Sequence, residues 1–308
     1  MVPGPQRQTR RAELRMKSYP WPDGARAVIF LSVNFDAETL DLKETTPDRM
    51  YGRFGYGRYG IRAGFPRLVA LLEKHAIPAT FFVAASDARR HPDLIRTLVD
   101  KGHEIGARGI DLEDFSKLGD AEPKILKESR DILADVCGRA PVGFRAPDGN
   151  MSVNTVRHLA ELGYEYDASF LDSDFPYCME PVPGKTIIEV PATYALDDGP
   201  IYSARHTHAR VMTVFRDEIY AMREAGTLIP LTLHLRGDFG STRGARIAAL
   251  DELFTQVKSH GDTHFMNGAA IAAHARSLGL TPEPDPAAAH LATLAKSVYR
   301  GDLAVKPK

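Results

Sequence analysis

Short apolar runs alternate with segments of helical periodicity along most of the chain. Residues 27–33 form a continuous apolar run rich in branched side chains, which predicts a strand buried on both faces. Further strands are predicted at 79–84, 103–106, 142–145, 187–190, 228–234 and 263–266, and helices at 65–72, 91–101, 122–136, 154–162, 210–224, 243–259 and up to Ser277. Strands that alternate with helices predict parallel pairing with right-handed crossovers, and therefore an α/β fold.

The two ends of the chain and one internal segment lack this pattern. Residues 1–24 are proline-rich and predict an irregular arm, residues 25–280 a single barrel domain, and residues 281–308 a tail. Residues 51–64 mix aromatic side chains with glycines and predict a loop. Because this loop follows a strand end that carries polar groups, Tyr56 and Tyr59 are candidates for contact with a substrate.

Composition and charge exclude several classes of function. The chain has 308 residues, is 44% hydrophobic and 26% charged, and carries a formal net charge of -1, which gives no electrostatic reason to expect a nucleic acid or an anionic membrane as partner. No apolar stretch is long enough to span a bilayer. Two cysteines are too few for a disulfide framework or a thiolate zinc site. The basic N-terminus lacks the apolar core of a secretory signal, which predicts a cytoplasmic protein.

A group of polar residues follows the strand predicted at 103–106. Gly102 closes the preceding helix, since glycine readily adopts the left-handed conformation of a helix end. Arg108, Asp111 and Glu113 then lie beyond the C-terminal end of the strand. In barrels built from strand and helix units, active sites are assembled at that end.

The segment from Gly102 to Leu112 resembles the second motif of the polysaccharide deacetylase-like superfamily, GHEIxxHGxxH, whose two histidines bind a divalent metal. Here Arg108 and Leu112 occupy the two histidine positions. The resemblance extends over roughly residues 26–277 and implies an irregular (β/α) barrel with fewer strands than the regular eight. Since both imidazoles are replaced, we expect no metal and no other cofactor.

Three further motifs of the superfamily have counterparts in the chain. The resemblance implies that Asp36 stands at the metal-binding aspartate of the first motif, with Asn34 where the general base is commonly found. Asparagine cannot accept a proton from water at useful pH, so the base must come from another residue, and Asp36 or Glu38 is the nearest candidate. The resemblance further implies that Arg145 orients a catalytic carboxylate, and that His234, with an ordinary pKa near 6.5, is the general acid.

The role of Arg108 has three alternatives. Its guanidinium could pair with Asp36 and replace the charge of the metal, it could bind a substrate carbonyl or carboxylate, or it could be a surface residue left after metal binding was lost. Asp111 and Glu113 offer oxygen atoms to a substrate or, with Asp36, to a cation. Further substrate-binding candidates that could line the pocket are Asn34, Asp148, His206, His208 and Arg236.

The segment after His234 is most similar to the branch of the superfamily that contains allantoinases and cyclic imidases. The expected function is therefore metal-independent hydrolysis of a non-peptide carbon–nitrogen bond in a small cyclic or linear amide. In this scheme Arg108 and Arg145 stabilise charge on the carbonyl oxygen, and His234 protonates the departing nitrogen. The alternatives are a metal-dependent polysaccharide or chitooligosaccharide deacetylase and a catalytically inactive protein that binds a ligand or partner. The sequence leaves self-association into a homo-oligomer open.

Overall fold

One largely parallel sheet organises the part of the chain that the computed structural model describes, which comprises residues 19–51 and 55–285 with Ala289, Ala292 and Thr293. Its strands are β1 (Ala27–Phe35), β2 (Thr80–Val83), β3 (Glu104–Ala107), β4 (Gly143–Phe144), β5 (Tyr166–Asp167), β6 (Tyr177–Val182), β7 (Lys185–Glu189), β8 (Leu228–His234) and β9 (Thr263–Met266). The order in the sheet is β6-β7-β5-β4-β3-β2-β1-β8, and β9 pairs with β1. The pairing between β6 and β7 is antiparallel, whereas the other pairings among the described strands are parallel.

Strand β1 lies at the centre of the fold, and every one of its residues is buried. On one side it pairs with β8 from Val28 to Asn34. On the other side its first half pairs with β9 and its second half with β2, so that β9 and β2 lie end to end along β1. Burial on both faces explains why β1 reads as a continuous apolar run and not as an alternating one.

The two outer parts of the sheet come together beside β8. Asp197, in the segment that follows β7, forms an isolated parallel bridge with Thr232 of β8. The sheet thus curves round into an irregular barrel, which confirms the α/β barrel expected from the sequence. The described residues contribute nine strands to this sheet, two of them only two residues long.

Helices cover the sheet. The α-helices comprise Glu38–Glu44, Tyr56–Tyr59, Phe65–Lys74, Ala85–Arg90, Pro92–Asp100, Glu122–Cys137, Thr155–Glu161, Asp198–Ser203, His208–Ala225, Gly244–Lys258 and Gly268–Ser277. Gly102 has φ +80°, as expected for the residue that turns the chain from a helix into β3. Among the helices in the described segments, none combines the length and the apolar character that a bilayer span requires.

The aromatic segment at 51–64 differs from its prediction. Its described part is mostly helical, with an α-helical turn at Tyr56–Tyr59 and a π-helical turn at Gly60–Gly64, and not a loop. Phe54 lies outside the described residues, as do residues 1–18 of the predicted arm and most of the predicted tail at 281–308.

Two carboxyl groups pack inside the sheet beneath the strand ends. Asp167 of β5 and Glu189 of β7 are register partners, and both are fully buried. One oxygen of Asp167 accepts a hydrogen bond from the Ser169 hydroxyl at 2.7 Å, and one oxygen of Glu189 accepts from the Phe170 amide at 3.0 Å. Burial raises the pKa of Asp167 to about 6, and burial together with the neighbouring Asp167 carboxyl raises the pKa of Glu189 well above its ordinary value.

This pair makes stability depend on pH with a defined sign. Because both folded-state pKa values are raised, the folded protein retains protons that the unfolded chain has already lost. The contribution of this pair to stability is therefore fully present below about pH 4, where carboxyls of the unfolded chain are protonated, and it is lost as the pH rises through the folded-state values.

We expect Glu189→Gln to reduce this loss, because an amide carries no charge and can donate a hydrogen bond to Asp167. Urea unfolding at about pH 4 and about pH 8 should show a difference in unfolding free energy that is smaller than in the wild type by roughly 1–3 kcal/mol. The exposed Glu180 on β6 provides the matched control, since Glu180→Gln should leave the difference unchanged. An equal pH dependence in the wild type and Glu189→Gln would contradict the assignment.

Candidate active site

A cavity of about 370 Å³ opens at the C-terminal ends of the parallel strands. It lies between the segments that follow β1, β3, β4, β5 and β7 and the end of β8. The polar side chains that line it are Asn34, Asp36, Lys43, Glu44, Arg108, Arg145, Asp148, Ser169, Thr193, Asp197, Ser203, Thr232 and His234. The sheet therefore brings together Asp36, Arg108, Arg145 and His234, although they are far apart in the sequence.

Asp36 and Arg108 form a buried ion pair at the base of this cavity. Arg108 Nε donates to Asp36 Oδ1 at 3.1 Å, and the two residues are 5% and 3% exposed. The terminal amino groups of Arg108 make no hydrogen bond to any residue that the structure describes. Because Arg108 lines the cavity, these donors are available to a ligand there.

The ligand set that the superfamily resemblance implies for a metal does not fit these residues. Asp36 is present, but a guanidinium occupies the first histidine position and the aliphatic Leu112 the second. Leu112 is buried and has φ +59°, and its carbonyl accepts a hydrogen bond from Lys43 at 2.5 Å. A fixed cation in contact with Asp36 would repel a metal at that carboxylate. We therefore derive no catalytic step through a metal.

His234 is held by Asp198. The two oxygens of Asp198 contact the Nδ1 atom and the backbone amide of His234, at 2.6 and 3.1 Å. On the other side of the ring, Nε2 lies 3.7 Å from Asp36 Oδ2. Burial lowers the pKa of His234, but the hydrogen bond to Asp198 and the charges of Asp198, Asp197 and Asp36 outweigh this effect and raise the pKa to about 9. The imidazole is therefore protonated at neutral pH.

Asp197, Asp198 and His234 offer three potential metal-ligand atoms within 4.8 Å of one another. The short contact between His234 Nδ1 and Asp198 has the length of a charge-assisted hydrogen bond. A proton between these two atoms accounts for their separation and for the raised pKa of His234. In this arrangement Asp198 stabilises the protonated form of His234.

Asn34 links His234 to Arg145. Its side-chain nitrogen lies 3.0 Å from His234 Nε2, and its side-chain oxygen lies 3.4 Å from Arg145 Nη1. A protonated Nε2 must donate, so the imidazolium form requires the Asn34 oxygen to face His234, with the amide turned over. Arg145 retains the Ser32 hydroxyl, at 2.8 Å, as an acceptor in either orientation.

The guanidinium of Arg145 lies beneath the cavity floor. Its Nε donates to the Ala168 carbonyl at 3.0 Å, and the group packs on the Phe82 ring at 4.3 Å. The described contacts of Arg145 do not include a hydrogen bond to Asp36, contrary to the expectation that it orients that carboxylate. Burial and the charge of Arg108 lower the pKa of Arg145 to about 10, and its Nη2 atom has no hydrogen-bond partner among the described residues.

Three carboxylates expected at the site lie outside the cavity. Glu38 is bound to His91 at 2.7 Å. Asp111 accepts from the Ser86 hydroxyl at 2.5 Å, and Glu113 accepts from the amides of Ile110 and Asp111. The last two residues hold the turn after β3 in shape, and their expected role in substrate binding has no support in this geometry. Asp148 lines the cavity and is exposed.

The other proposed substrate ligands also lie outside the cavity. Arg236 is 1% exposed and forms ion pairs with Asp41 and Asp238, because a buried guanidinium requires such partners. Tyr56 packs beside the Arg236 guanidinium, and the Arg243 guanidinium packs on the Tyr59 ring at 4.1 Å. These contacts fasten the aromatic segment to the loop after β8. His206 and His208 lie at the start of the helix His208–Ala225, away from the cavity.

Two residues important for the site, Asp197 and Asp198, were not among the sequence-based candidates. Asp197 caps the helix Asp198–Ser203 by accepting a hydrogen bond from the Gly199 amide at 2.8 Å. The sequence signal for this helix start is the pair of acidic residues ahead of Gly199 and Pro200. Nothing in the spacing connects these aspartates to His234, which they reach only through the curvature of the sheet.

We expect Arg108→Met to lower the unfolding free energy by roughly 3–5 kcal/mol, since it leaves the Asp36 carboxylate buried without its cation. Urea denaturation measures the loss. The matched variant Arg108→Met with Asp36→Asn removes both charges and should recover most of the lost stability. If the single variant is as stable as the wild type, the ion pair is not the interaction that holds these two strand ends together.

Comparisons with known proteins agree with this fold. The family model "Polysaccharide deacetylase" matches residues 43–166. A putative polysaccharide deacetylase from Mycobacterium smegmatis is 36% identical over 87% of this chain and 96% of its own, with a TM-score of 0.80. The PuuE allantoinase is 27% identical over 85% of this chain and 94% of its own, with a TM-score of 0.74.

Similarity to curated sequences is more limited in length. The peptidoglycan deacetylase of Helicobacter pylori is 30% identical over 168 residues, and the chain spans 57% of that protein. It spans 61% of the peptidoglycan deacetylase-like protein FGM2 of Gibberella zeae, at 28% identity. The fold, the strand-end site and the match to the M. smegmatis protein together show that the chain belongs to the polysaccharide deacetylase family, a group of hydrolases that act on carbon–nitrogen bonds.

Proposed function

We propose that the protein hydrolyses a carbon–nitrogen bond in a small cyclic or linear amide without a bound metal. The observation that carries this proposal is the contact between Arg108 and Asp36 at 3.1 Å, which puts a permanent cation with free donors beside the carboxylate at the family's metal position. His234 lies on the other oxygen of the same carboxylate, so the cation and the acid face one small space.

Arg108 supplies the electrostatic part of the mechanism. Its terminal amino groups donate to the carbonyl oxygen of the substrate and stabilise the negative charge that develops there when water attacks the carbon. The buried position of Arg108 strengthens this effect, because little water screens the charge. Arg145 adds positive charge from beneath the floor.

His234 supplies the proton for the leaving nitrogen. Asp198 keeps Nδ1 occupied and the ring fixed, so Nε2–H is the proton that can be transferred. As the carbon–nitrogen bond breaks, the nitrogen takes this proton and leaves as an amine. The carboxylates around His234 then favour its reprotonation from solvent.

The size of the cavity and the similarity to an allantoinase support a small amide as the substrate. A second candidate is an N-acetylated sugar, which the names of the curated relatives favour. One observation supports it: a second cavity of about 240 Å³ adjoins the first and shares Leu171, Ala192 and Thr193 with it. Such a groove could hold a substrate longer than a single small ring. Turnover assays with cyclic imides and ureides beside N-acetylated oligosaccharides separate the two candidates.

We expect His234→Ala to reduce kcat by roughly 10²–10⁴-fold, the usual range for loss of an acid–base group. In the wild type kcat/KM should fall as the pH rises above about 9, because the acid must be protonated and the pKa of His234 is raised to about 9. His91→Ala is the matched control, since His91 binds Glu38 outside the cavity. Wild-type turnover that persists in His234→Ala would remove His234 from the chemistry.

We expect the purified protein to retain no stoichiometric transition metal, because Arg108 and Leu112 offer no ligand and Arg108 adds a positive charge. Elemental analysis after purification without chelators tests this. The variant Arg108→His with Leu112→His, which restores both imidazoles beside Asp36, serves as the positive control and should bind zinc. One equivalent of zinc or cobalt that survives dialysis of the wild type would contradict the metal-free mechanism.

A further inference from the structure

The proposed hydrolysis leaves open which residue takes the proton from the attacking water. Asn34 cannot do so, and Glu38 lies outside the cavity. Asp36 is paired with Arg108, and both oxygens of Asp198 contact His234. We propose that Asp197 is the general base. This inference rests on the proposed function and adds a catalytic residue to it.

The geometry of Asp197 suits this role. Its Oδ1 atom accepts the Gly199 amide at 2.8 Å and lies 3.7 Å from His234 Nδ1, which fixes the direction of the carboxylate. Its Oδ2 atom has no hydrogen-bond partner among the described residues, and the side chain lines the cavity with 17% of its area exposed. The backbone bridge to Thr232 holds the residue against β8, next to the acid.

The other cavity carboxylates are less suitable as bases. Glu44 and Asp148 are exposed to solvent, whereas the side chain of Asp197 is only 17% exposed. Burial raises the pKa of Asp197, and the adjacent charge of Asp198 raises it further, while His234 and Arg145 act in the opposite direction. A higher pKa makes the ionised form of Asp197 a better proton acceptor.

The step can be written with all atoms balanced. Water gives one proton to Asp197 Oδ2 while its oxygen bonds to the carbonyl carbon, and Arg108 holds the negative oxygen. The carbon–nitrogen bond then breaks as His234 Nε2 gives its proton to the nitrogen. The products are a carboxylic acid and an amine. Asp197 loses its proton to solvent and His234 regains one, so the net reaction consumes one water molecule and needs no other reactant.

The variant Asp197→Asn tests this role without removing the helix cap, because asparagine caps helices as well as aspartate does. We expect kcat to fall by roughly 10²–10⁴-fold and the acidic limb of the kcat/KM profile to disappear, with the thermal unfolding temperature unchanged. The loss of one neighbouring charge should also move the alkaline limb, set by His234, to slightly lower pH. Asp114→Asn, an aspartate cap outside the cavity, is the matched control and should retain full activity.

A second variant separates lost basicity from lost structure. Asp197→Ala leaves space for a small carboxylate, and added formate should restore part of its rate if proton transfer is what was lost. Full activity of Asp197→Asn, with only the alkaline limb moved, would show that Asp197 is a cap and a neighbouring charge, and would overturn the inference while the proposed function stands. A wild-type protein that hydrolyses none of the imides, ureides or N-acetylated oligosaccharides would overturn both.

Discussion

The buried ion pair between Asp36 and Arg108 constrains everything else at this end of the barrel. Removing two charges from water costs several kcal/mol for each ion, and only close mutual contact with further hydrogen bonding offsets that cost. The pair also joins the ends of β1 and β3, which are not neighbours in the sheet. Once a guanidinium is fixed here, the cavity has a permanent positive charge beside the Asp36 carboxylate.

In the proposed mechanism, this constraint determines which residues polarise the carbonyl group and which residue activates water. A metal in a hydrolase polarises the carbonyl and lowers the pKa of bound water in one place. Arg108 can take over the first task but not the second, because a guanidinium does not lose its proton. Activation of water therefore requires a separate base. Asp197 and Asp198, which follow β7, place two carboxylates on the Nδ1 side of His234. The charge on Asp198 favours the protonated form of His234, which can then act as the acid. The Oδ2 atom of Asp197 remains open to the cavity.

Much of the fold could be predicted from the sequence because the central strands are buried on both faces. The runs in β1, β2 and β8 are mostly apolar and buried, and their positions agree with the prediction to within a few residues. The two-residue strands β4 and β5 carry too few residues for any pattern. The aromatic segment was predicted as a loop because its glycines suppress helix propensity. It is held as helical turns by a hydrogen bond from the Gly57 amide to Asp41 and by close packing against the loop after β8.

The candidate site was predictable only where residues follow strands in motif positions. Asp36, Arg108, Arg145 and His234 all do so, and all four line the cavity. Asp197 and Asp198 instead begin a helix in the long connection between β7 and β8. The sequence pattern there does not show that these residues lie close to His234. Arg236, by contrast, was predicted from the sequence to bind substrate. Its burial beside Asp41 results from tertiary packing, which the sequence pattern does not show.

The isolated bridge between Asp197 and Thr232 has a consequence for motion in this barrel. A ladder resists separation because its hydrogen bonds act together, and segments with few such bonds open locally at a small fraction of the global unfolding free energy. The place where the segment after β7 meets β8 is also the cavity wall that carries Asp197 and Asp198. In the proposed mechanism, an opening of this wall would move the charges of Asp197 and Asp198 away from His234 and lower its pKa, so that the stability of the wall and the protonation of the site would change together.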